Sequence, residues 1–169
     1  MTLTDLMPSL RRTLPDPFTI DRWPEFTTVT PDDISIAGVS LTRLVDWCST
    51  PCVHTAAAVI PGTHGRPSET ELASVVVTRV TTVSASPDGT RQVELDAVIR
   101  ACNATAREIR LIGRASTSHR RTASLISAAP LGCAEIVVDL PGDLRAGDLL
   151  AIPCAGVTCL HDVRPASVR

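Results

Sequence analysis

Cysteine and histidine side chains are the first candidates for chemistry in this sequence. Cys52 and His54 are two residues apart, as are Cys159 and His161, so each pair would face one side of a strand. Zinc sites usually place such ligands on knuckles or helices at other spacings. We therefore predict no metal ion at either pair. The six cysteines are expected to be reduced thiols.

A nucleophile and its base form a second candidate site. Cys133 lies in a predicted turn close to Glu135, and His64 lies in a loop with glycines on both sides. A Cys–His pair is recognised by its position in space rather than by sequence spacing, and no local signature supports one here. The sequence therefore favours an unreactive thiol at Cys133.

The composition is that of a soluble globular domain. Of the 169 residues, 44% are hydrophobic and 20% are charged, and the formal net charge is −2. Basic residues are not clustered, so we expect no nucleic-acid partner. The first residues lack the segments of a signal peptide, and no apolar run is long enough to cross a bilayer. We expect a cytoplasmic protein that does not enter a membrane.

Local signals divide the chain into an arm and a domain. Residues 1–33 contain five prolines and are predicted to form an irregular arm with one short helix near its start. Residues 34–169 are predicted to form a single domain. That domain begins with a short helix over 41–48, for which Ser40 is the expected N-cap. The aromatic residues expected to pin the arm onto the domain are Phe18, Trp23 and Phe26.

Strand signals dominate the rest of the chain. Alternating or continuous apolar runs rich in valine predict about eight strands, with a hairpin turn at Pro87-Asp88-Gly89. The predicted strands cover 52–60, 74–85, 90–101, 107–116, 123–128, 134–140, 148–153 and 157–163. This pattern predicts an all-β fold, a small closed β-barrel of about eight strands with one short helix and the irregular arm.

Short segments at both ends and in the middle of the chain carry a resemblance to one enzyme family. They are Gly38–Leu44, Thr50-Pro51, Gly65-Arg66, Ser74–Val80, Gln92–Ala97, Ala129–Cys133, Leu144–Pro153 and Gly156–Thr158. These segments resemble the diaminopimelate and ornithine decarboxylases, in which a (β/α)₈ barrel that binds pyridoxal phosphate (PLP) is joined to a β domain. The resemblance implies that this chain is a stand-alone β domain, because the gap of about 20 residues after Pro51 cannot hold a barrel of roughly 200 residues.

The chemistry of that family does not follow from the resemblance. PLP catalysis needs a lysine amine, and the chain contains no lysine. It also contains no tyrosine, so Thr158 would have to replace the family's phosphate-binding tyrosine. We therefore expect no cofactor and no PLP decarboxylase activity by this chain alone.

The resemblance does indicate where a site would lie. If the β domain is retained, the loop at 62–66 and the turns at 129–133 and 154–158 meet at one mouth of the barrel. Arg66 or Thr158 would then hydrogen-bond a substrate carbonyl, and Glu135 or His64 would act as acid or base. The residues expected to bind substrate are Cys133, Asp96, Cys154 and Val157.

A small barrel filled by small aliphatic side chains leaves room for one ligand. Such a cavity can fold a flexible substrate into a reactive conformation without a cofactor. We therefore expect a cofactor-independent cyclase or isomerase acting on an apolar natural-product intermediate of the polyketide kind. The alternative is a non-catalytic partner that docks onto a full-length PLP decarboxylase, and a third class is a structural assembly protein. The sequence leaves a homodimer open.

Overall fold

The computed structural model of the protein describes residues 2–100, 102–127 and 135–165. Within these ranges the α-helices are short: α1 (Leu3–Leu6), α2 (Leu41–Cys48) and α3 (Leu160–Val163). Three 3₁₀ helices cover Pro8–Arg12, Ile20–Arg22 and Ala106–Glu108. The strands are β1 (Thr28–Val29), β2 (Ile34–Ile36), β3 (Val39–Ser40), β4 (Cys52–Val59), β5 (Pro67–Ala85), β6 (Arg91–Leu95), β7 (Arg110–Ile112), β8 (Arg120–Ile126), β9 (Glu135–Pro141) and β10 (Leu149–Ala155).

These strands form one small and one large sheet. The small sheet has the order β1-β2-β3 and is antiparallel. The large sheet has the order β7-β10-β5-β6-β8-β9, and β4 also pairs with β5. Its ladders are antiparallel except for β6 and β8, which are parallel.

Strand β5 organises the large sheet because different parts of it pair with different neighbours. Its first part pairs with β4, its middle from Ala73 to Arg79 also pairs with β10, and its last part pairs with β6. Residues 67–72 therefore extend past β10, and we call them the β5 overhang. The backbone N–H groups of Thr70 and Glu71 donate to Ser68 Oγ at 3.3 and 3.0 Å.

Side chains on the two faces of β5 enter two separate cores. Val76 and Val80 face the concave side of the sheet and belong to the inner core, which is built from aliphatic side chains. Val75 and Val77 face the other side and belong to the outer core, where α2, the small sheet and Trp23 cover the large sheet. Because both faces are covered, the residues from Ala73 to Thr78 form an uninterrupted buried run.

The sheet is a half-barrel rather than the closed barrel that we predicted. The all-β prediction holds in outline. Within the described residues, however, no ladder joins β9 to β7 or to β4. Strand β9 instead approaches the Ala106–Glu108 turn, and β4 pairs with β5 from Pro67 to Val77, which includes part of the stretch that also pairs with β10. The number of strands predicts a closed barrel, but closure also depends on which strands pair. Strand β5 pairs with its neighbours over different parts of its length, so the described sheet does not close.

Several local predictions are confirmed and two are wrong. Helix α2 covers 41–48, and the Ser40 hydroxyl accepts from the N–H of Arg43 as its cap. The turn at 87–89 closes the β5–β6 hairpin. The strand predicted over 157–163 is instead a link followed by the helix α3. The sequence Ser68-Glu-Thr-Glu also predicts a capped turn; the Ser68 hydroxyl accepts from the Glu71 N–H, but these residues belong to β5.

Candidate functional site

The residues predicted to act as catalysts do not come together at one mouth of a barrel. His64 and Arg66 lie in the exposed hairpin loop between β4 and β5. The β5 overhang separates this loop from Ala73, where the β10 pairing ends, by six residues or about 20 Å of extended strand. Gly62 N–H donates to Asp21 Oδ2 at 2.8 Å, which fixes the loop against the arm. The assigned roles of His64 and Arg66 stay predictions.

The C-terminal end of β10 brings two of the predicted residues into one region. Cys154 is buried in the inner core. Thr158 is also buried, and its backbone N–H donates to Ser74 Oγ at 3.0 Å. Ser74 Oγ shares a further hydrogen bond of 3.0 Å with Thr55 Oγ1. Val157 is exposed beside them. These contacts hold the link between β10 and α3 against β5.

Two more predicted residues have partners in the protein. Asp96 accepts hydrogen bonds from Thr50 Oγ1 at 2.5 Å, from Thr78 Oγ1 at 2.7 Å and from the Arg79 N–H at 2.8 Å. Both carboxylate oxygens are thus used to join the start of β4 to β5. Glu135 is exposed and accepts from the Ser124 hydroxyl. Cys133 and the turn at 129–133 lie outside the described residues.

The Cys-x-His pairs also differ in their surroundings. On β4, Cys52 faces the outer core, and the Nε2 atom of His54 is buried with no hydrogen-bond partner among the described residues. Burial raises the pKa of the Cys52 thiol to about 11. His161 is largely exposed and pairs with Asp162 at 3.1 Å. No three His, Cys, Asp or Glu side chains in the described part of the chain come close enough to hold a metal ion.

A pocket of about 1040 Å³ lies elsewhere, between the N-terminal arm and one end of β8 and β9. We call it the arm pocket. Its basic lining is Arg107, Arg110, His119, Arg120 and Arg121. Its acidic lining is Asp5, Asp16 and Asp139. Four arginines against three aspartates leave one net positive charge when the histidine is neutral. Pro17, Ala106 and Val137 add apolar surface.

The arm is held at this pocket by buried and half-buried charged groups, which we call the arm junction: Arg11, Asp16, Glu108, Arg110 and Arg120. Asp16 forms ion pairs with Arg11 at 2.8 Å and with Arg120 at 2.9 Å. Arg110 donates to the backbone carbonyl of Asp16 at 2.7 Å and to that of Pro17. Charged side chains thus fix the path of a segment that has little regular structure.

Glu108 completes the arm junction from the Ala106–Glu108 turn. Its carboxylate accepts from Trp23 Nε1 at 3.0 Å and from the Thr19 N–H at 3.3 Å. It also lies 3.8 Å from the Arg110 guanidinium. Burial raises the pKa of Asp16, but hydrogen bonds from Thr4, Arg11 and Arg120 outweigh it and lower that pKa to about 2.

The carboxylates of the arm pocket already have partners in the protein. Asp5 binds Arg11, and Asp139 accepts from the Thr122 hydroxyl at 2.7 Å. Arg107 and Arg121 differ from them. Within the described residues, no hydrogen bond or ion pair holds either guanidinium. The two free cations can therefore bind a carboxylate or phosphate of a ligand, which guanidinium groups recognise with paired hydrogen bonds.

Sequence reasoning did not single out these residues. The signal was the run His119-Arg120-Arg121, which is placed at the start of β8. Its neighbours Arg107 and Arg110 come from another part of the chain, and Asp16 comes from the arm. The charge run was visible in the sequence, but the fold was needed to show which side chains meet it.

Comparisons with known proteins give a weak structural likeness. No protein-family model matches the chain, and no curated protein matches its sequence significantly. The chain is similar to the structure of the Paramecium bursaria Chlorella virus arginine decarboxylase and to the structure of that enzyme bound to agmatine. In both cases the TM-score is 0.37, with 18% identity over 54% of this chain. The chain spans only 28% of the length of that decarboxylase.

The residues of this chain do not fit PLP. The sequence contains no lysine to form the covalent link on which PLP enzymes depend. Thr158, the residue expected to replace the family's tyrosine, is buried and donates its N–H to Ser74.

Within the described residues, no helix has the length and apolarity needed to span a bilayer.

Proposed function

We propose that the chain binds a small organic acid or phosphate in the arm pocket and converts it without a cofactor, as a cyclase or isomerase. The observation that supports this most directly is the pair of free guanidinium groups, Arg107 and Arg121, beside carboxylates that already have partners. The volume of about 1040 Å³ is at the upper end of the usual range for small-molecule sites.

The polar and apolar surfaces of the pocket would bind different parts of the substrate. Arg107 and Arg121 would hold the anionic end of the substrate, and Pro17, Ala106 and Val137 would contact its apolar part. A flexible chain fixed at one end and folded against an apolar wall loses the conformations that do not react. His119 lines the same pocket, and imidazole is the most frequent general acid or base in enzymes.

The substrate would thus bind in the arm pocket and not on the concave side of the large sheet. The concave side of the half-barrel is filled by inner-core side chains such as Val93, Leu125 and Leu140, all of which are fully buried. A natural-product intermediate that combines an apolar chain with an acid group, such as a polyketide acid, has the two features that the arm pocket can recognise.

Binding can be tested with matched ligands and matched variants. Medium-chain fatty acids and alkyl phosphates should bind more tightly than the corresponding alcohols and primary amides, as measured by calorimetry. Arg107→Gln and Arg121→Gln should each weaken acid binding about 10-fold or more, since a hydrogen bond to a charged group contributes about 1.5–3 kcal/mol. Arg43→Gln, on the exposed side of α2, is the control and should leave binding unchanged.

Turnover is tested separately, by incubating linear acids with the protein and searching for products of unchanged mass. His119→Asn should abolish an isomerisation that uses the arm pocket, whereas Arg66→Ala should not affect it. The opposite result would return the site to the loop between β4 and β5. Equal binding of the acids and the alcohols, unaffected by the double variant of Arg107 and Arg121, would contradict the proposal as a whole.

One observation favours the alternative, a non-catalytic partner of a PLP decarboxylase. The arm exposes the large apolar side chains Leu3, Leu6, Met7 and Leu14, and Leu3 and Leu6 belong to the same short helix as the pocket residue Asp5. Exposed apolar clusters often mark protein contacts. If this chain is such a partner, it should co-elute with a purified ornithine- or diaminopimelate-type decarboxylase. Replacing Leu3 and Leu6 by Ser should then abolish co-elution. If no complex forms with the unaltered protein, the partner alternative is contradicted and the enzyme proposal is the one that stays.

A further inference from the structure

Two cysteines from distant parts of the chain meet at the C-terminal end of β10. Cys154 is buried in the inner core, and Cys102 packs against the same core from the segment that follows β6. The backbones around them are joined directly. Ala104 forms an antiparallel bridge with Cys154, and the Ala155 N–H donates to the Asn103 carbonyl at 2.9 Å.

The two thiols are free and have unequal surroundings. Cys154 Sγ lies 3.4 Å from the Ile152 carbonyl, which it faces inside the core. Cys102 is half-buried, so a small solute can approach it from solvent. The interaction with the Cys154 thiol lowers the pKa of Cys102, and the same interaction together with burial raises the pKa of Cys154. Cys102 is therefore the thiol that ionises first.

We infer that Cys102 and Cys154 are a redox-modification site that closes to a disulfide when a hydroperoxide reaches Cys102. The Cys102 thiolate attacks the peroxide, the O–O bond breaks, and a sulfenic acid and a hydroxide or alkoxide ion are formed. The Cys154 sulfur then attacks the sulfenic sulfur and the S–O bond breaks. The hydroxyl leaves with the thiol proton as water. The peroxide gains two electrons, and the two thiols lose them.

Closing the disulfide would join the segment after β6 covalently to β10. The two segments are already neighbours through the Ala104–Cys154 bridge, so the crosslink would join parts of the chain that are paired in the reduced fold. It also restricts the unfolded chain over the 51 residues between positions 102 and 154. The oxidised protein should therefore melt at a higher temperature than the reduced protein.

Peptide mapping after oxidation tests the site. Trypsin releases Cys102 in fragment 101–107, and Cys154 together with Cys159 in fragment 146–169, because Pro165 prevents cleavage after Arg164. The C159S variant leaves Cys154 as the only cysteine of that fragment. Native C159S protein treated with equimolar hydrogen peroxide and then alkylated should yield these two fragments as one disulfide-linked species. Reduction should separate them.

The controls distinguish this pair from general oxidation. C48S removes an exposed thiol and should leave the linked species unchanged, whereas C102S should abolish it together with the rise in melting temperature. The inference is overturned if Cys102 links instead to fragment 122–145, which contains Cys133, or if Cys48 is oxidised while Cys102 and Cys154 stay reduced. Because no Cys154 variant is used, the result does not depend on whether such a variant folds.

Discussion

The inner core and the arm junction are both buried, but different interactions stabilise them. The inner core is aliphatic, and Leu125 and Leu140 in it are completely inaccessible to solvent. In the arm junction the buried side chains are charged: Glu108 is 8% exposed and Arg110 is 9% exposed. Aliphatic packing depends on volume, whereas buried charges depend on every partner being present.

This difference explains why the arm can be irregular and still well placed. An apolar arm would have to bury a large surface, whereas the Arg110 guanidinium fixes it through two backbone carbonyls, those of Asp16 and Pro17. Because charged groups hold the arm in place, its position should be sensitive to charge and to pH. The inner core should be sensitive to neither and should respond to lost volume instead.

The largest effect is expected when one charge of the arm junction is removed. Glu108→Ala leaves the Trp23 Nε1–H buried without its acceptor and the buried Arg110 charge without its carboxylate, and it also removes the acceptor of the Thr19 N–H. Removing one partner of a buried ion pair typically destabilises a protein by about 3–5 kcal/mol. Chemical denaturation followed by tryptophan fluorescence measures this loss.

Glu108→Gln is the matched control for that variant. The amide oxygen keeps the shape of the side chain and an acceptor for Trp23, so the free energy of unfolding should fall by clearly less than for Glu108→Ala. Equal losses for the two variants would show that the ion pair, and not the hydrogen bonds, holds the arm.

A somewhat smaller effect is expected in the inner core. Leu125→Ala removes a fully buried side chain between β6 and β9, and such changes typically cost about 2–5 kcal/mol. Val137→Ala on the exposed face of β9 is the control and should change the unfolding free energy by less than about 0.5 kcal/mol. The cost at Leu125 should be the same at pH 4 and pH 7. A strong pH dependence of this cost would contradict the distinction between an inner core that depends on volume and an arm junction that depends on charge.

The smallest effect is expected from acid. The pKa of Asp16 is lowered to about 2 in the folded protein, below its ordinary value of 3.8. A carboxyl with a lowered pKa stabilises the fold fully above its unfolded value, and this contribution is lost as the pH falls towards 2. After solvent screening we expect a loss of about 1–2 kcal/mol between pH 5 and 2.

Amide hydrogen exchange in residues 4–18 measures the acid effect locally. Exchange there should accelerate as the pH falls, beyond the intrinsic pH dependence of exchange. In Asp16→Asn the arm should already be loosened at pH 7, with no further step in this range. An unchanged acid step in Asp16→Asn would assign the effect to another group, such as Asp5, whose pKa is also lowered by its bonds to Thr2.

Local features of the fold could be predicted from the sequence, and long-range ones could not. Ser40 followed by the apolar spacing of Leu41, Leu44 and Val45 specifies α2, because the cap and the buried face are both local. The segment 157–163 has the apolar content of a strand. It forms α3 instead, in which Leu160 packs against the inner core and Val163 is fully buried, with its carbonyl accepting from the Val98 N–H at 2.8 Å.

The site was harder to predict than the fold. Asp96 is predicted to bind substrate, and the fold also engages its oxygens with Thr50 and Thr78, partners that are far away in sequence and that the sequence did not indicate. Arg107 and Arg121 looked like ordinary surface charges. Their significance depends on the arm lying across the end of β8, and that path is set by contacts of about 100 residues in sequence separation, such as Arg120 to Asp16.

Because β5 pairs both with nearby strands and with the distant strand β10, part of it stays unpaired while the rest of the chain is synthesised. Its hairpin partners β4 and β6 lie next to it in sequence, but Ser74 pairs with Cys154, which is synthesised 80 residues later. At roughly 5–20 residues per second, this part of β5 stays without its β10 neighbour for on the order of ten seconds. During that interval an apolar strand edge is open to other nascent chains, so we expect the yield of folded protein to depend on the rate of translation and on the chaperones available.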